Sequence, residues 1–315
     1  MNPESLLHNP AIAAAATVML AGLFDLLLGE PPTPVHPVAW IGGLIAALER
    51  RRPKDRPAAE LAYGVLIVVV VCAVAGGVAW GVRVGLGYLP AWAGVLLGAY
   101  VLKTTFSLRG LAGAGRTVQR ALEADTDAAR EELKALVSRS RNLEPPQIVS
   151  ATVESLAENL TDSVLSPLLA FALFGLPGAA VYRAINTMDA MIGYHGDYEY
   201  VGKVAARMDD VVNWIPARLA GVLLCAVAGV AGRRGAVTAL RRDRRGLESP
   251  NAAWTMAPMA GALRVQLEKV GHYRLGLPER ALTPAIITEA IAFTWAAGWV
   301  YVLLSGVAAW LVGRG

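Results

Sequence analysis

The chain has 315 residues, of which 55% are hydrophobic and 17% charged, and its formal net charge at pH 7 is +4. A mean hydropathy of +0.45 is too high for an ordinary soluble domain and indicates a helical membrane protein. Nucleic-acid binding is excluded as an interpretation, because the basic residues are scattered between apolar segments without a basic-helix module. Cys72 and Cys225 both lie in apolar segments, which favours buried thiols over a disulfide or a metal site.

The first apolar segment, residues 11–29, is long enough to form a spanning or deeply buried helix. Asp25 lies within it, and an acid in such a segment is either functional or hydrated at the membrane interface. Four prolines within residues 29–38 then predict a rigid extended turn that carries His36. This histidine is either part of a site or structural.

The whole chain, residues 1–315, is predicted to be a single integral membrane domain. Its fold class is all-α, a polytopic helical membrane protein with about five spanning helices and a helical site region on the cytoplasmic side. The segment at 164–182 contains two prolines and two glycines, so it is predicted to be broken or re-entrant. The apolar segments are 11–29, 61–82, 84–102, 164–182, 215–232 and 290–312, and the polar, site-bearing segments are 103–163, 183–214 and 233–289.

Two short loops, 49–57 and 233–245, are rich in arginine, which predicts that they face the cytoplasm. Between them, residues 103–142 show the apolar spacing of amphipathic helices. Residues 110–117 read GLAGAGRT, which resembles a phosphate-binding loop. We reject that interpretation, because the lysine is missing and no strand is predicted before the motif.

A stripe of acidic residues is predicted at Glu154, Glu158 and Asp162, which are spaced by four and therefore lie along one side of a helix. No lysine or arginine occurs between Arg141 and Arg183 to balance them. Carboxylates beside apolar surface raise the pKa of one another or bind a cation. The alternative is an exposed acidic start of a helix, which the helix dipole favours.

A second polar set follows in residues 183–218, where asparagines, aspartates and arginines are interleaved. Oxygen-rich sets of this kind suit Mg²⁺, which shares its coordination shell with water and substrate phosphate. Arginines beside them suit a phosphate or a carboxylate. The alternative is a network of structural salt bridges among the same residues. The set consists of Arg183, Asn186, Asp189, Arg207, Asp209, Asp210, Asn213 and Arg218.

Several long motifs carry a resemblance to a known family. They read FDLLLGEPPTPVHPVAWIGGLI, VESLAENLTDSVLSPLL, YRAINTMDAMIGY, ARMDDVVNWIPARL and SPNAAWTMAPMAGAL. In this order, over roughly residues 25–276, they resemble the cobalamin-biosynthesis membrane protein family of adenosylcobinamide-phosphate synthase, or cobinamide synthase.

The resemblance implies an enzyme that joins adenosylcobyric acid to (R)-1-aminopropan-2-ol or its O-phosphate in an amide bond. It implies Mg²⁺ as cofactor and ATP as co-substrate. The expected partners are the corrinoid, aminopropanol phosphate, the lipid bilayer and other membrane enzymes of the pathway, and the expected location is the inner cell membrane. Residues expected to act in catalysis are Glu154, Glu158 and Asp210. Metal ligands are expected among Glu158, Asp162, Asp189 and Asp209. Substrate-binding residues are expected to be His36, Arg139, Asn159, Arg183, Asn186, Arg207, Asn213, Arg218 and Asn251.

The chain departs from the family at residues 138–141, where it reads Ser-Arg-Ser-Arg and the family usually has Gly-Arg-Asp-Thr. Arg139 matches, but the acidic residue does not. Two alternatives stay open beside the enzyme. Multiple spans, intramembrane acids and broken helices would suit a membrane corrinoid carrier or transporter, and the altered residues would suit a non-catalytic scaffold. The oligomeric state is not predicted.

Overall fold

The computed structural model describes residues 6–54, 56–137, 142–245 and 247–314. Their contacts divide the chain into two compact units. Unit 1 comprises Met1–Ser107, Ser166–Asn213 and Val302–Gly315, and unit 2 comprises Leu108–Leu165 and Trp214–Tyr301. The sequence predicts one integral membrane domain, and that statement stays a prediction beside this division.

Helices make up nearly all of the regular structure. A short 3-10 turn, Thr33–Val35, follows the first helix, and a π-helical turn, Thr161–Leu165, joins two long ones. In chain order the elements are α1 (Pro10–Leu28), α2 (Pro37–Glu49), α3 (Pro57–Leu86), α4 (Ala91–Lys103), α5 (Leu108–Ala124), α6 (Thr126–Leu133), α7 (Pro145–Leu160), α8 (Ser166–Ile192), α9 (Lys203–Val212), α10 (Trp214–Val230), α11 (Gly235–Asp243), α12 (Ala253–Leu263), β1 (Gln266–Lys269), β2 (Tyr273–Gly276) and α13 (Pro284–Val312).

Five helical stretches of the described chain are long and apolar enough to cross a membrane. Helices α9 and α10 would make a sixth as one span, bent by 49°. The protein is therefore an all-α polytopic membrane protein, as the sequence predicts. The five stretches are Pro10–Leu28, Pro57–Leu86, Ala91–Ala124, Pro145–Ile192 and Pro284–Val312.

In unit 1, α3 has one buried side and one exposed apolar side. Ile67 and Val71 are fully buried, whereas Val69 and Val78 are 58% and 63% exposed. An apolar outer surface of this kind suits lipid rather than water. On the buried side, Gly64 lies so close to the backbone carbonyl of Val201 that a Cβ atom would overlap it.

The predicted break in segment 164–182 lies at Gly175, inside α8. Its backbone has φ 67° and ψ −159°, a conformation that glycine adopts at low cost. Pro177 follows two residues later and has no N–H to donate to the preceding turn. The segment is a broken helix, so this prediction is confirmed.

In unit 2, α5 contains the whole GLAGAGRT motif as regular helix. Leu108, Leu111 and Val118 are buried on one of its sides, which explains the amphipathic spacing. A phosphate-binding loop requires an irregular loop between a strand and a helix. The helical conformation of this stretch therefore agrees with its rejection.

The sequence did not predict the β-hairpin of unit 2. Strands β1 and β2 pair antiparallel, with Leu267 opposite Leu275, and Gly271 adopts φ 77° in the turn. Each strand has only four residues, which is too short for alternation of polar and apolar residues to stand out. The all-α prediction omitted this element, which proves to hold a predicted catalytic residue.

Candidate functional site

In unit 2, the carboxylate of Glu154 on α7 is held by two hydroxyl groups. The Oγ–H of Ser150, one turn earlier, donates to Glu154 Oε1 over 2.8 Å, and the hydroxyl of Tyr273 donates to Oε2 over 2.9 Å. Tyr273 begins β2, so the hairpin contacts the acidic helix directly. Glu154 is half-buried. Its two oxygens are therefore fixed in orientation before any substrate binds.

Ser150 also ties the other strand of the hairpin to α7. Its Oγ accepts a hydrogen bond from the backbone N–H of Glu268 on β1, over 2.8 Å. Helix α7 itself begins at a capping box formed by Glu144 and Gln147, with Pro145 in its first turn. The capped start of α7 and the hydrogen bonds from both strands of the hairpin therefore position Glu154.

Glu158 and Asp162 continue the acidic sequence and are half-buried. Asp162 does not lie on α7 but in the π-helical turn, which inserts an extra residue per turn and changes the register of the stripe. Isolated π-helical turns recur at functional sites. The predicted stripe is therefore present for Glu154 and Glu158, which share α7, whereas Asp162 lies in the π-helical turn.

Asn159 lies between two serines of the same helical stretch. Its Nδ2 donates to the carbonyl oxygen of Ser155 over 3.0 Å, and its Oδ1 accepts from Ser163 Oγ over 2.9 Å. Ser155 in turn donates to the carbonyl oxygen of Leu136 over 3.1 Å. The amide thus has structural partners on both sides, and its role toward substrate stays a prediction.

Arg218 on α10 and Asn251 form the second polar cluster of unit 2. The Nη1 of Arg218 donates to Asn251 Oδ1 over 2.6 Å. The guanidinium lies 4.4 Å from the ring centre of Trp214 and 5.0 Å from that of Trp254. Aromatic rings that lie over a guanidinium group add a cation–π attraction and fix the orientation of its plane. Two of the residues that the resemblance assigns to substrate binding are therefore brought together here.

In unit 1, Asp209 on α9 is flanked by the amides of two predicted site residues. Asn213 Nδ2 donates to Asp209 Oδ2 over 2.9 Å, and Asn186 Nδ2 lies 3.5 Å from Oδ1. The Oδ1 of Asn213, which is buried, accepts from Ser166 Oγ over 2.7 Å and from the Tyr182 hydroxyl over 2.9 Å. Neutral donors thus orient this carboxylate.

Four further predicted residues of unit 1 lie on α8 and α9, namely Arg183, Asp189, Arg207 and Asp210. Arg183 Nη1 donates to Asn186 Oδ1 over 3.3 Å. Arg207, whose side chain is 74% exposed, forms an ion pair with Asp210 over 3.6 Å. The Asp189 carboxylate lies against Gly193, where a Cβ atom would overlap it. The contacts between Arg207 and Asp210 match the structural salt bridges left open as an alternative.

A buried ion cluster at the N-terminal motif of unit 1 involves Lys103. Its Nζ lies 2.7 Å from Glu30 Oε1 and 3.8 Å from Asp25 Oδ1, and its side chain is fully buried. His36 caps α2 by accepting from the Val38 N–H and also contacts Glu30 over 2.8 Å. Burial raises the pKa of Glu30, but hydrogen bonds from Lys103, Ser107 and His36 outweigh it, so the pKa lies below its ordinary value.

The oxygen-rich residues fit Mg²⁺ only in a limited way. Among the described residues, no group of three or more His, Cys, Asp or Glu side chains is arranged to hold a metal ion. Mg²⁺ is commonly bound by one or two carboxylates and completed by water and substrate phosphate. Each unit contains predicted acids that could contribute such carboxylates, and Mg²⁺ binding stays a prediction. Arg139, the remaining predicted residue, lies outside the described residues.

A family model described as CobD/Cbib protein matches residues 18–294 of this chain. The chain belongs to the CobD/CbiB family. The cobalamin biosynthesis protein CobD of Dehalococcoides mccartyi is 41% identical over 91% of this chain and 94% of its own length. The cobalamin biosynthesis protein CbiB of Salmonella typhi is 40% identical over 88% of this chain and 92% of its own. No solved structure matches the chain.

In this member of the CobD/CbiB family, the sequence interpretation missed four residues that hold the predicted polar residues, namely Ser150, Ser166, Tyr182 and Lys103. Lys103 directly follows one apolar segment, and Asp25 lies in another. Opposite charges within or next to apolar segments tend to pair, so the sequence contained a signal for the contact between Lys103 and Asp25. Ser166 and Tyr182 had none, because their partner Asn213 is distant in sequence, whereas Ser150 lies one turn before Glu154 and was overlooked.

Proposed function

We propose that the chain is an ATP-dependent amide ligase of cobalamin biosynthesis. It would join a propionate carboxylate of adenosylcobyric acid to (R)-1-aminopropan-2-ol or its O-phosphate. The names of the relatives support the pathway. The observation that supports catalysis best is the carboxylate of Glu154, fixed by the hydroxyl groups of Ser150 and Tyr273. A base must be held in one orientation to accept a proton at a defined atom.

The proposed reaction has two steps. The carboxylate oxygen of the corrinoid attacks the γ-phosphorus of ATP, ADP leaves, and an acyl phosphate forms. The amine nitrogen then attacks the acyl carbon, inorganic phosphate leaves with the bridging oxygen, and the nitrogen loses one proton. Glu154 or Glu158 would accept that proton in unit 2, and Asp210 is the corresponding candidate in unit 1.

The remaining polar groups would hold Mg²⁺ and phosphate. Mg²⁺ would be held by Glu158 and Asp162 in unit 2 or by Asp189 and Asp209 in unit 1, and it neutralises phosphate charge when bound. Arg207 is exposed enough to meet a phosphate, whereas Arg218 is held by Asn251 and two indole rings. Planar guanidinium groups bind phosphate and carboxylate oxygens in pairs.

We also place the protein in the cytoplasmic membrane, where the substrates and other membrane enzymes of the pathway would meet it. Bacterial and archaeal relatives and the five apolar helices support that location.

The test uses the purified full-length protein in detergent with adenosylcobyric acid, aminopropanol or its phosphate, Mg²⁺ and ATP. Mass spectrometry of the corrinoid should detect the amide, and EDTA or omission of ATP should abolish it. Glu158→Ala should abolish product as well, whereas Glu132→Ala, which removes an exposed acid on α6, should leave it unchanged. No amide from protein that still binds the corrinoid would overturn the proposal.

A second candidate function, corrinoid transport, is favoured by the interrupted helices. Transporters use broken helices to form their substrate path, and α8 is broken at Gly175 while α9 and α10 meet at 49°. Proteoliposomes loaded with corrinoid distinguish the two. A carrier would move corrinoid without ATP and without product, whereas a ligase would form amide without net flux. A scaffold would do neither.

A further inference from the structure

The arginine-rich segment that follows α10, residues 233–245, forms a surface that has no role in the proposed ligase reaction. Six arginines and one acid lie within residues 233–245. The acid, Asp243, is already paired with Arg242 over 2.6 Å. Arg233 is paired with Glu289 over 3.1 Å. Within the described part of the chain, Arg234, Arg241 and Arg245 are exposed and make no ion pair. An excess of positive charge therefore remains on this surface.

The packing of α11 fixes which side of the helix carries that charge. Ala236, Ala239 and Leu240 are buried. Gly235 lies against the backbone carbonyl of Gly261 on α12 at a distance that leaves no room for a Cβ atom. Small residues that allow such an approach hold two helices in one orientation. The opposite side is thereby kept outward.

The outward side of α11 mixes apolar and basic residues. Val237 is 40% exposed, and Arg241 follows four residues later, one turn along the same side. Arg234 lies one residue before the helix and Arg245 two residues after its end. A helix with basic and apolar side chains on one surface is typical of elements that lie at a membrane interface.

Helix α10 places this surface beside lipid. Its exposed side chains are apolar, with Ile215 at 62%, Val222 at 57% and the final Val230 at 94% exposure. Only two residues separate Val230 from Arg233. Basic clusters that directly follow an apolar membrane helix attract anionic headgroups.

We infer that the outward surface of α11, formed by Arg234, Val237, Arg241 and Arg245, binds the phosphate headgroups of anionic phospholipids. The ligand is a lipid rather than a soluble anion, because the apolar side chain of Val237 and the exposed end of α10 lie beside the guanidinium groups. A free phosphate would gain nothing from those apolar contacts.

The test is a titration of the full-length protein, in a neutral detergent, with phosphatidylglycerol or phosphatidylcholine, followed by native mass spectrometry. The protein should retain phosphatidylglycerol in preference, and the preference should weaken as salt is raised. Arg241→Gln with Arg245→Gln should lower the affinity for phosphatidylglycerol on the order of 30-fold.

Two further variants keep the result interpretable. Arg264→Gln with Arg274→Gln removes the same charge from exposed arginines that Glu279 and Glu268 already neutralise, so lipid affinity should stay unchanged. Arg241→Lys with Arg245→Lys keeps the charge and should keep most of the affinity. Equal retention of both lipids, or equal loss in the Arg264 and Arg274 control, would overturn the inference. Displacement of the lipid by equimolar pyrophosphate would show a soluble-anion site and would also overturn it.

Discussion

The hydroxyl of Tyr273 on the β-hairpin donates a hydrogen bond to Glu154 on α7 over 2.9 Å, across 119 residues of sequence. This contact links a small, unpredicted element to the acid that the sequence singled out. Without the hairpin, Glu154 would keep Ser150 but lose the donor at its second oxygen. We therefore regard the hairpin as the element that orients the carboxylate.

Tyr273→Phe tests that relationship. The substitution removes only the hydroxyl, so the hairpin should persist while Glu154 loses one donor. We expect amide formation to fall roughly 10- to 100-fold, the range seen when an orienting partner of an active group is removed. Tyr88→Phe, at a tyrosine that is 85% exposed, is the matched control and should have full activity. Equal activity in both variants would contradict an orienting role.

Asn213→Ala tests the buried network of unit 1. The change leaves the hydroxyl groups of Ser166 and Tyr182 and one oxygen of Asp209 without their amide partner. Unsatisfied buried polar groups cost about 1–3 kcal/mol each, so we expect the free energy of unfolding to fall by about 2–4 kcal/mol. Thermal unfolding in detergent measures it. Thr117→Ala, at an exposed hydroxyl on α5, should change stability little.

Lys103→Met tests the buried ion cluster. It leaves Asp25, which is buried, without the ammonium group 3.8 Å away, and Glu30 without its partner at 2.7 Å. Breaking one side of a buried pair costs about 3–5 kcal/mol. The double variant Lys103→Met with Asp25→Asn should recover part of that loss. Failure of the double variant to recover any stability would argue against the ion pair.

Glu30 gives a defined pH dependence. Its pKa in the folded protein lies below the ordinary 4.5, because hydrogen bonds from Lys103, Ser107 and His36 outweigh the effect of burial. A lowered pKa means that the carboxylate stabilises the fold above about pH 4.5 and that this contribution is lost as the pH falls through the lower, folded value. Unfolding temperatures measured from about pH 7 to about pH 3 should therefore converge between the wild type and Glu30→Gln at the acid end. Parallel curves would contradict this assignment.

The sequence predicted the parts of the fold that depend on local composition. The length of the apolar segments predicted helices that span the membrane, and the glycines and prolines of segment 164–182 predicted the break at Gly175. The spacing of Glu154 and Glu158 predicted a common helix. These features depend on residues that are neighbours in the chain, so a single sequence carries them.

Contacts between distant segments were not predicted. The pairing of β1 with β2, the bond from Tyr273 to Glu154 and the position of Lys103 beside Asp25 depend on how helices pack. The π-helical turn at Asp162 is likewise a departure from the local pattern, because the spacing of the carboxylates alone favours a continuous α-helix. The roles of the individual acids in catalysis stay predictions for the same reason.

The most direct test of the ligase is an isotope experiment on the purified protein. Adenosylcobyric acid labelled with ¹⁸O in its reacting carboxylate is incubated with ATP, Mg²⁺ and aminopropanol phosphate. Both the corrinoid product and the released phosphate are then analysed by mass spectrometry. We predict one amide formed per ATP consumed and one ¹⁸O atom transferred to inorganic phosphate. Folded protein that binds the corrinoid but forms no amide and releases no labelled phosphate would contradict the proposed function.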